Sequence, residues 1–190
     1  MHEAIKKIIE HRMVLQNRHI PQAARANLEK TACEVSTFAS NSIEGNPLPL
    51  TEVRRILKKS RKCSITEREV LNYDTSLCFL NEKLDQGEID FSLKLILSIQ
   101  KNITVGTLDK FRSGKMRKEP VVGNDPRVGK PVYYTPDCKD ASKLMTDLLL
   151  WINKHRKKLD PIIVAVVFHK QFVVVHPFSE GNGRTARLFK

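Results

Sequence analysis

Residues 176 to 187 read HPFSEGNGRTAR and gather into twelve positions the groups that phosphate chemistry needs. His176 can take a proton from a hydroxyl near neutral pH. Glu180 offers hard carboxylate oxygens, suited to a Mg²⁺ that keeps several waters and bridges phosphates. Gly181, Asn182 and Gly183 permit a tight turn with positive φ, and the helix formers from Arg184 to Phe189 then leave exposed N–H groups at a helix N-terminus. Such an end binds phosphate through its amides and dipole, and Arg184 and Arg187, three apart, lie near one face and add fixed positive charge. A G-x-G turn, a lone histidine and two arginines at that spacing are each common, and each alone also fits a plain turn. Their coincidence argues for a polyphosphate cradle with a general base beside it.

These groups need elements to hold them. His176 closes the run IIVAVVFHKQFVVV, which Asp160-Pro161 opens. Its β-branched content favours a strand, but Asp can N-cap, Pro is preset for the first helical position, and fourteen residues is long for a strand. The reading is a central helix over about 161–175, buried nearly all round. Helical spacing also marks a segment from Glu3 to Arg18 and, after Pro21, a second from Gln22 to Asn41 that ends in Ser40-Asn41-Ser42-Ile43-Glu44-Gly45-Asn46-Pro47. Leu50 to Lys59 is a short amphipathic helix. Thr66-Glu67-Arg68-Glu69 fits a capping box for a helix reaching Leu84, and Asp90 reads as the N-cap of a helix through Ile99. From Gly114 to Pro136 glycines and prolines surround two β-prone pieces, Val121-Val122 and Val132-Tyr133-Tyr134, the pattern of a hairpin or flap with a long tip. A helix from about Lys139 to Lys154 follows, with Leu144, Leu148 and Trp151 on one face.

The 190 residues are 41% hydrophobic, enough to bury a core. Thirty-three Lys and Arg against twenty-one Asp and Glu leave a formal charge of +12, which favours anionic partners without choosing among them. Cys33, Cys63, Cys78 and Cys138 are scattered with no metal-ligand spacing and read as reduced thiols. The N-terminal MHEAIKKIIEHR lacks a signal-peptide apolar run, and no stretch approaches transmembrane length, so a cytoplasmic protein away from membranes is expected.

The string from His176 to Arg187 resembles the Fic family signature, H-x-F-x-D/E-G-N-G-R-x-x-R, at every defined position. The resemblance extends to Ser40-Asn41-Ser42-Ile43-Glu44-Gly45, similar to the family's inhibitory-helix pattern S/T-x-x-x-E-G/N, and to Gly114–Pro136, where the family places its target-docking flap. It implies a mainly α helical bundle of Fic type with a β-hairpin flap, and transfer of AMP from ATP, with Mg²⁺, to a Ser, Thr or Tyr hydroxyl of a target protein docked around 119–135. On that resemblance His176 is the general base and Glu180 holds the metal on the α- and β-phosphates. Gly181, Asn182 and Gly183 form the anion hole, Arg184 and Arg187 hold the outer phosphates, and a buried Phe178 pins the loop. Glu44, steadied by Ser40, pairs with Arg187 and blocks the γ-phosphate, because a carboxylate and a phosphate cannot share one guanidinium.

Other readings stay open at this point. A site of this type can instead remove AMP, with Glu44 orienting a water, or transfer another nucleotide or phospho group; Gly183 favours nucleotidyl transfer. The charge also allows a nucleic-acid-binding regulatory protein, although these residues carry no recognition-helix or aromatic stacking motif. The expected organisation is an N-terminal helical region over 1–60, containing the 40–45 motif, and a catalytic domain over 61–190, together one compact unit. The helix opened by the cradle barely begins before Lys190, so that domain reads as truncated, either a fragment of a longer chain or one completed by a partner subunit such as a second copy.

Overall fold

Asp160 and Pro161 decide how the longest apolar run folds. The Asp160 carboxylate accepts the Ile162 N–H at 2.9 Å and Pro161 starts the helix, so Pro161–Val175 is helical throughout despite its valines. The computed structural model describes residues 2–58, 63–87, 90–125 and 130–189. Among them lie eight helices and one hairpin: α1 (His2–Gln16), α2 (Gln22–Ile43), α3 (Leu50–Leu57), α4 (Ile65–Asp85), α5 (Leu93–Thr104), β1 (Val122–Asp125), β2 (Lys130–Tyr134), α6 (Cys138–His155), α7 (Pro161–Val175) and α8 (Asn182–Leu188). The fold is therefore mainly α with a two-stranded antiparallel flap, as expected; its tip, residues 126–129, lies outside the described residues. No helix among the described residues is long and apolar enough to cross a membrane.

The chain divides into two compact units, Met1–Cys33 and Glu34–Lys190. The 40–45 motif thus belongs to the larger unit, and the boundary expected at 60/61 falls outside the described residues. In the larger unit α7 packs with α6 and α8, and Phe168, Phe172 and Val175 meet Met145, Leu149 and Ile96 in the main core. A second cluster joins α4 to α5 through Tyr73, Leu80, Ile99 and Ile103, and a third joins α3 to α4 through Val53, Ile56 and Val70. The helix α7 is not buried all round: Val166 is 60% exposed, and Ile163 and Val174 lie on the same open stripe. Val166 is three positions from Ile163 and eight from Val174, which keeps all three on one face that α6 and α8 leave uncovered.

Two helix starts differ from expectation. The capping box of α4 begins at Ser64, whose hydroxyl accepts the Glu67 N–H while the Glu67 carboxylate accepts the Ser64 N–H. Thr66 is then inside the first turn, which frees Glu69 to reach the site described below. For α5 the cap is Ser92, which accepts from Leu95 N–H, rather than Asp90, and the helix runs on to Thr104.

Candidate active site

The site begins where α7 ends. His176 is its C-cap, in the left-handed region at φ 49°, while its N–H still donates to Phe172 O at 2.9 Å. It is the one described non-glycine residue with positive φ, a conformation that persists only when its surroundings over-determine it. Arg117 supplies much of that constraint. Its side chain is buried and donates to His176 O at 2.8 Å, Glu119 O at 3.1 Å and Pro136 O at 2.5 Å, while its own N–H donates to Pro177 O at 2.9 Å. One guanidinium thereby satisfies carbonyls at the helix end and at both roots of the flap.

Phe178 then enters the core, fully buried against Phe172, and closes the turn with Asn182. The Phe178 N–H donates to Asn182 Oδ1 at 2.9 Å and Asn182 Nδ2 returns a bond to Phe178 O at 2.8 Å. Gly181 is the N-cap of α8 at φ 78°, the left-handed position that favours glycine. Gln100, buried in α5, holds the same turn from the other side: its Nε2 donates to Glu180 O at 3.0 Å and its Oε1 accepts the Gly114 N–H at 2.5 Å.

The two arginines of α8 face different partners. Arg184, 3% exposed, donates to Glu69 at 3.1 Å and to Glu180 at 3.3 Å, and its Nε has no hydrogen-bond partner among the described residues. Arg187 donates through Nε to Ser40 Oγ at 2.8 Å and through Nη2 to Ser40 O at 3.0 Å and to Glu44 Oε1 at 2.5 Å. Gly45, at φ 91°, allows α2 to end there, with the Asn46 N–H returning to Asn41 O. This turn carries Glu44 to the first turn of α8, where a Cβ on Gly183 would collide with its carboxylate. His176, Glu180, Gly181, Asn182, Gly183, Arg184 and Arg187 are thus brought together, and Ser40 and Glu44 join them from far upstream.

His176 is half-buried, and that burial lowers its pKa. The Val173 carbonyl and Glu44 work in the raising direction and Arg117 in the lowering one. The net effect keeps the imidazole neutral, and so able to accept a proton, into mildly acidic solution. No cluster of three or more His, Cys, Asp or Glu capable of holding a metal occurs among the described residues.

A family model, the Fic/DOC family, matches residues 90–190. The protein adenylyltransferase Fic of Drosophila melanogaster is 32% identical over 176 residues, covering 90% of this chain and 34% of that relative. The protein adenylyltransferase fic-1 of Caenorhabditis briggsae is 36% identical over 154 residues, covering 77% of this chain and 29% of that relative. The chain belongs to the Fic/DOC family. It spans about a third of the length of these curated relatives. A solved structure of Caenorhabditis elegans Fic-1 superposes with a TM-score of 0.77 over 99% of this chain and 55% of its own, at 28% identity.

Besides Ser40 and Glu44, four residues outside the signature contact the site of this Fic chain: Arg117, Gln100, Glu69 and Tyr133. The Tyr133 hydroxyl, from β2, donates to Val173 O at 2.5 Å and lies 2.7 Å from His176 Nδ1. Tyr133 and Arg117 both fall in the glycine- and proline-rich segment that announced the hairpin, Tyr133 as one of its β-prone aromatics. Gln100 and Glu69 sit in helices and gain their contacts from packing.

Proposed function

We propose that this chain is a protein adenylyltransferase that transfers AMP from ATP to a hydroxyl side chain of a target protein, with Mg²⁺, and that Glu44 holds it in an inhibited state. What carries the reading is an anion already seated in the cradle: the Glu44 carboxylate, on Arg187 and over Gly183, at the first turn of α8. A site that gathers a carboxylate there can gather a phosphate. The partnerless Nε of Arg184 is a second donor for which the described residues supply no acceptor.

The chemistry is a displacement at the α-phosphorus. A target hydroxyl oxygen forms the new O–P bond, the bond to the β-phosphate oxygen breaks, pyrophosphate leaves with the electron pair, and His176 takes the hydroxyl proton. Arg184 and Arg187 would hold phosphate charge, with the amides of Gly181, Asn182 and Gly183 at the start of α8 as further donors. Glu180 suits Mg²⁺: one oxygen is on Arg184, the other has no partner among the described residues, and a single carboxylate with phosphates and water is that ion's usual setting. When bound, the ion would offset phosphate charge. The flap around 119–135 would dock the target, consistent with its roots being tied to the catalytic loop through Arg117.

Inhibition follows from competition for Arg187. A γ-phosphate and the Glu44 carboxylate repel one another at a shared guanidinium, so ATP seats productively only when Glu44 moves. The test is mass spectrometry of the protein and of a lysate after incubation with ATP and Mg²⁺, comparing the parent with Glu44→Gly and His176→Ala. Self-modification by AMP should rise in Glu44→Gly and vanish when His176→Ala is added. Activity confined to AMP removal, or transfer from another nucleotide only, would overturn the assignment.

A further inference from the structure

We infer that Tyr133 is a positioning residue that fixes the tautomer and orientation of His176 from the flap; this rests on the proposed role of His176 as base. The proton count around Nδ1 carries it. The Tyr133 oxygen and the Val173 carbonyl oxygen are 2.5 Å apart, a distance two oxygens adopt only with a proton between them. A carbonyl cannot donate, so the single phenolic proton belongs to that bond. The Tyr133 oxygen, 2.7 Å from His176 Nδ1, is then left as an acceptor, and Nδ1 must carry a hydrogen. The same conclusion comes from Val173 O, 3.2 Å from Nδ1, which can only accept. With Nδ1 protonated in the neutral ring, the lone pair sits on Nε2, and Nε2 is the base.

Burial raises the phenol pKa, outweighing the opposite effect of Arg117, so the donor proton stays in place through neutral pH. The flap is shaped to deliver this hydroxyl. A register irregularity at Gly123 and Asn124 places Tyr133 opposite Gly123, and a Cβ at Gly123 would overlap the tyrosine ring. The ring crosses its partner strand through the space a side chain would fill and meets His176 edge-on, with centroids 6.1 Å apart. An orienting partner behind the catalytic ring, supplied here by the strand proposed to dock the target, ties the base's readiness to the state of the flap.

The test has one readout that needs no turnover and one that does. In ¹⁵N-labelled protein the His176 ring nitrogens should report the Nδ1–H tautomer, and Tyr133→Phe should raise the Nε2–H fraction. In a Glu44→Gly background, Tyr133→Phe should lower kcat for self-modification about 3- to 10-fold with the KM for ATP unchanged. Gly123→Ala should cause a similar loss by displacing the ring, and the double variant should lose little more than either single one. An Nε2–H tautomer in the parent, an unchanged tautomer in Tyr133→Phe, or additive losses in the double variant would overturn the inference. An inactive Glu44→Gly protein with the expected tautomer would instead count against the adenylyltransferase reading.

Discussion

Glu69 joins Asn46 to Arg184, accepting from Asn46 Nδ2 through one carboxylate oxygen at 2.9 Å and from Arg184 Nη1 through the other at 3.1 Å. Asn46 directly follows the turn that presents Glu44, and Arg184 is the inner arginine of the cradle. A single carboxylate therefore spans the turn proposed to regulate the site and the candidate phosphate site. Arg184 is nearly solvent-free, and Glu180, its other partner, is half exposed. Glu69→Gln keeps a hydrogen-bond acceptor but removes the charge that balances a buried cation. The expected loss is about 1.5–3 kcal/mol of stability, the range for hydrogen bonds to charged groups. Chemical denaturation of the parent and variant measures it, and an unchanged midpoint would show that Glu180 alone suffices.

Arg187 is held by Glu44 and by Ser40, and the two should contribute unequally. On the proposed reading Glu44 is the charged competitor, so Glu44→Gly should raise ATP-dependent self-modification about tenfold or more. Ser40→Ala removes the neutral bond to Nε and leaves the Ser40 carbonyl on Nη2, so its effect should be a rise of about 2- to 5-fold. Initial rates with labelled ATP order the two variants. A larger effect from Ser40→Ala would shift the inhibitory role from the carboxylate to the helix that carries it.

The contrast between Glu44 and Glu69 shows what could be read in the sequence. Glu44 and Ser40 stand at a helix end marked by Gly45 and Pro47, and the signature that needs them is itself contiguous. Thr66 and Glu69 have the types and spacing of a capping box, but Ser64 and Glu67 satisfy the same pattern and form it. The helix α7 was decided by Asp160 and Pro161 against its β propensity, since a cap is a local signal while burial is not. Its open stripe at Val166 was invisible, because hydrophobicity does not say which neighbours are present. Tyr133 depended on strand register, and Gln100 on the approach of α5 to a loop eighty residues later.

The pKa of His176 predicts the acid limb of activity. Burial lowers it, so the neutral base persists below the ordinary histidine value of 6.5 and is lost only as the pH falls through the lowered value. The limb of kcat/KM, which reports the free enzyme, should therefore lie on the acid side of 6.5. Glu44 acts in the raising direction, so Glu44→Gly should move the limb further toward acid. Rates of self-modification across the acid range, in Glu44→Gly with and without a carboxylate restored by Glu44→Asp, give both positions. A limb above 6.5 would mean that negative charge beside the imidazole outweighs its burial.

Gly181→Ala separates the geometry of the catalytic turn from general stability. At φ 78° an alanine costs about 1–2 kcal/mol. Its Cβ would also lie 3.3 Å from Thr104 Cγ2, and Thr104 is buried with its hydroxyl bound to Gln100 O and Ser113 Oγ. Because Gln100 holds the Glu180 carbonyl, the strain is delivered to the residue proposed to hold Mg²⁺. Asp160→Ala is the matched control: it removes the α7 cap at a cost of about 1 kcal/mol, sixteen residues before His176. Measured well below both melting transitions in a Glu44→Gly background, Asp160→Ala should keep its rate and Gly181→Ala should lose at least tenfold. Equal losses would mean that the turn acts through folding alone.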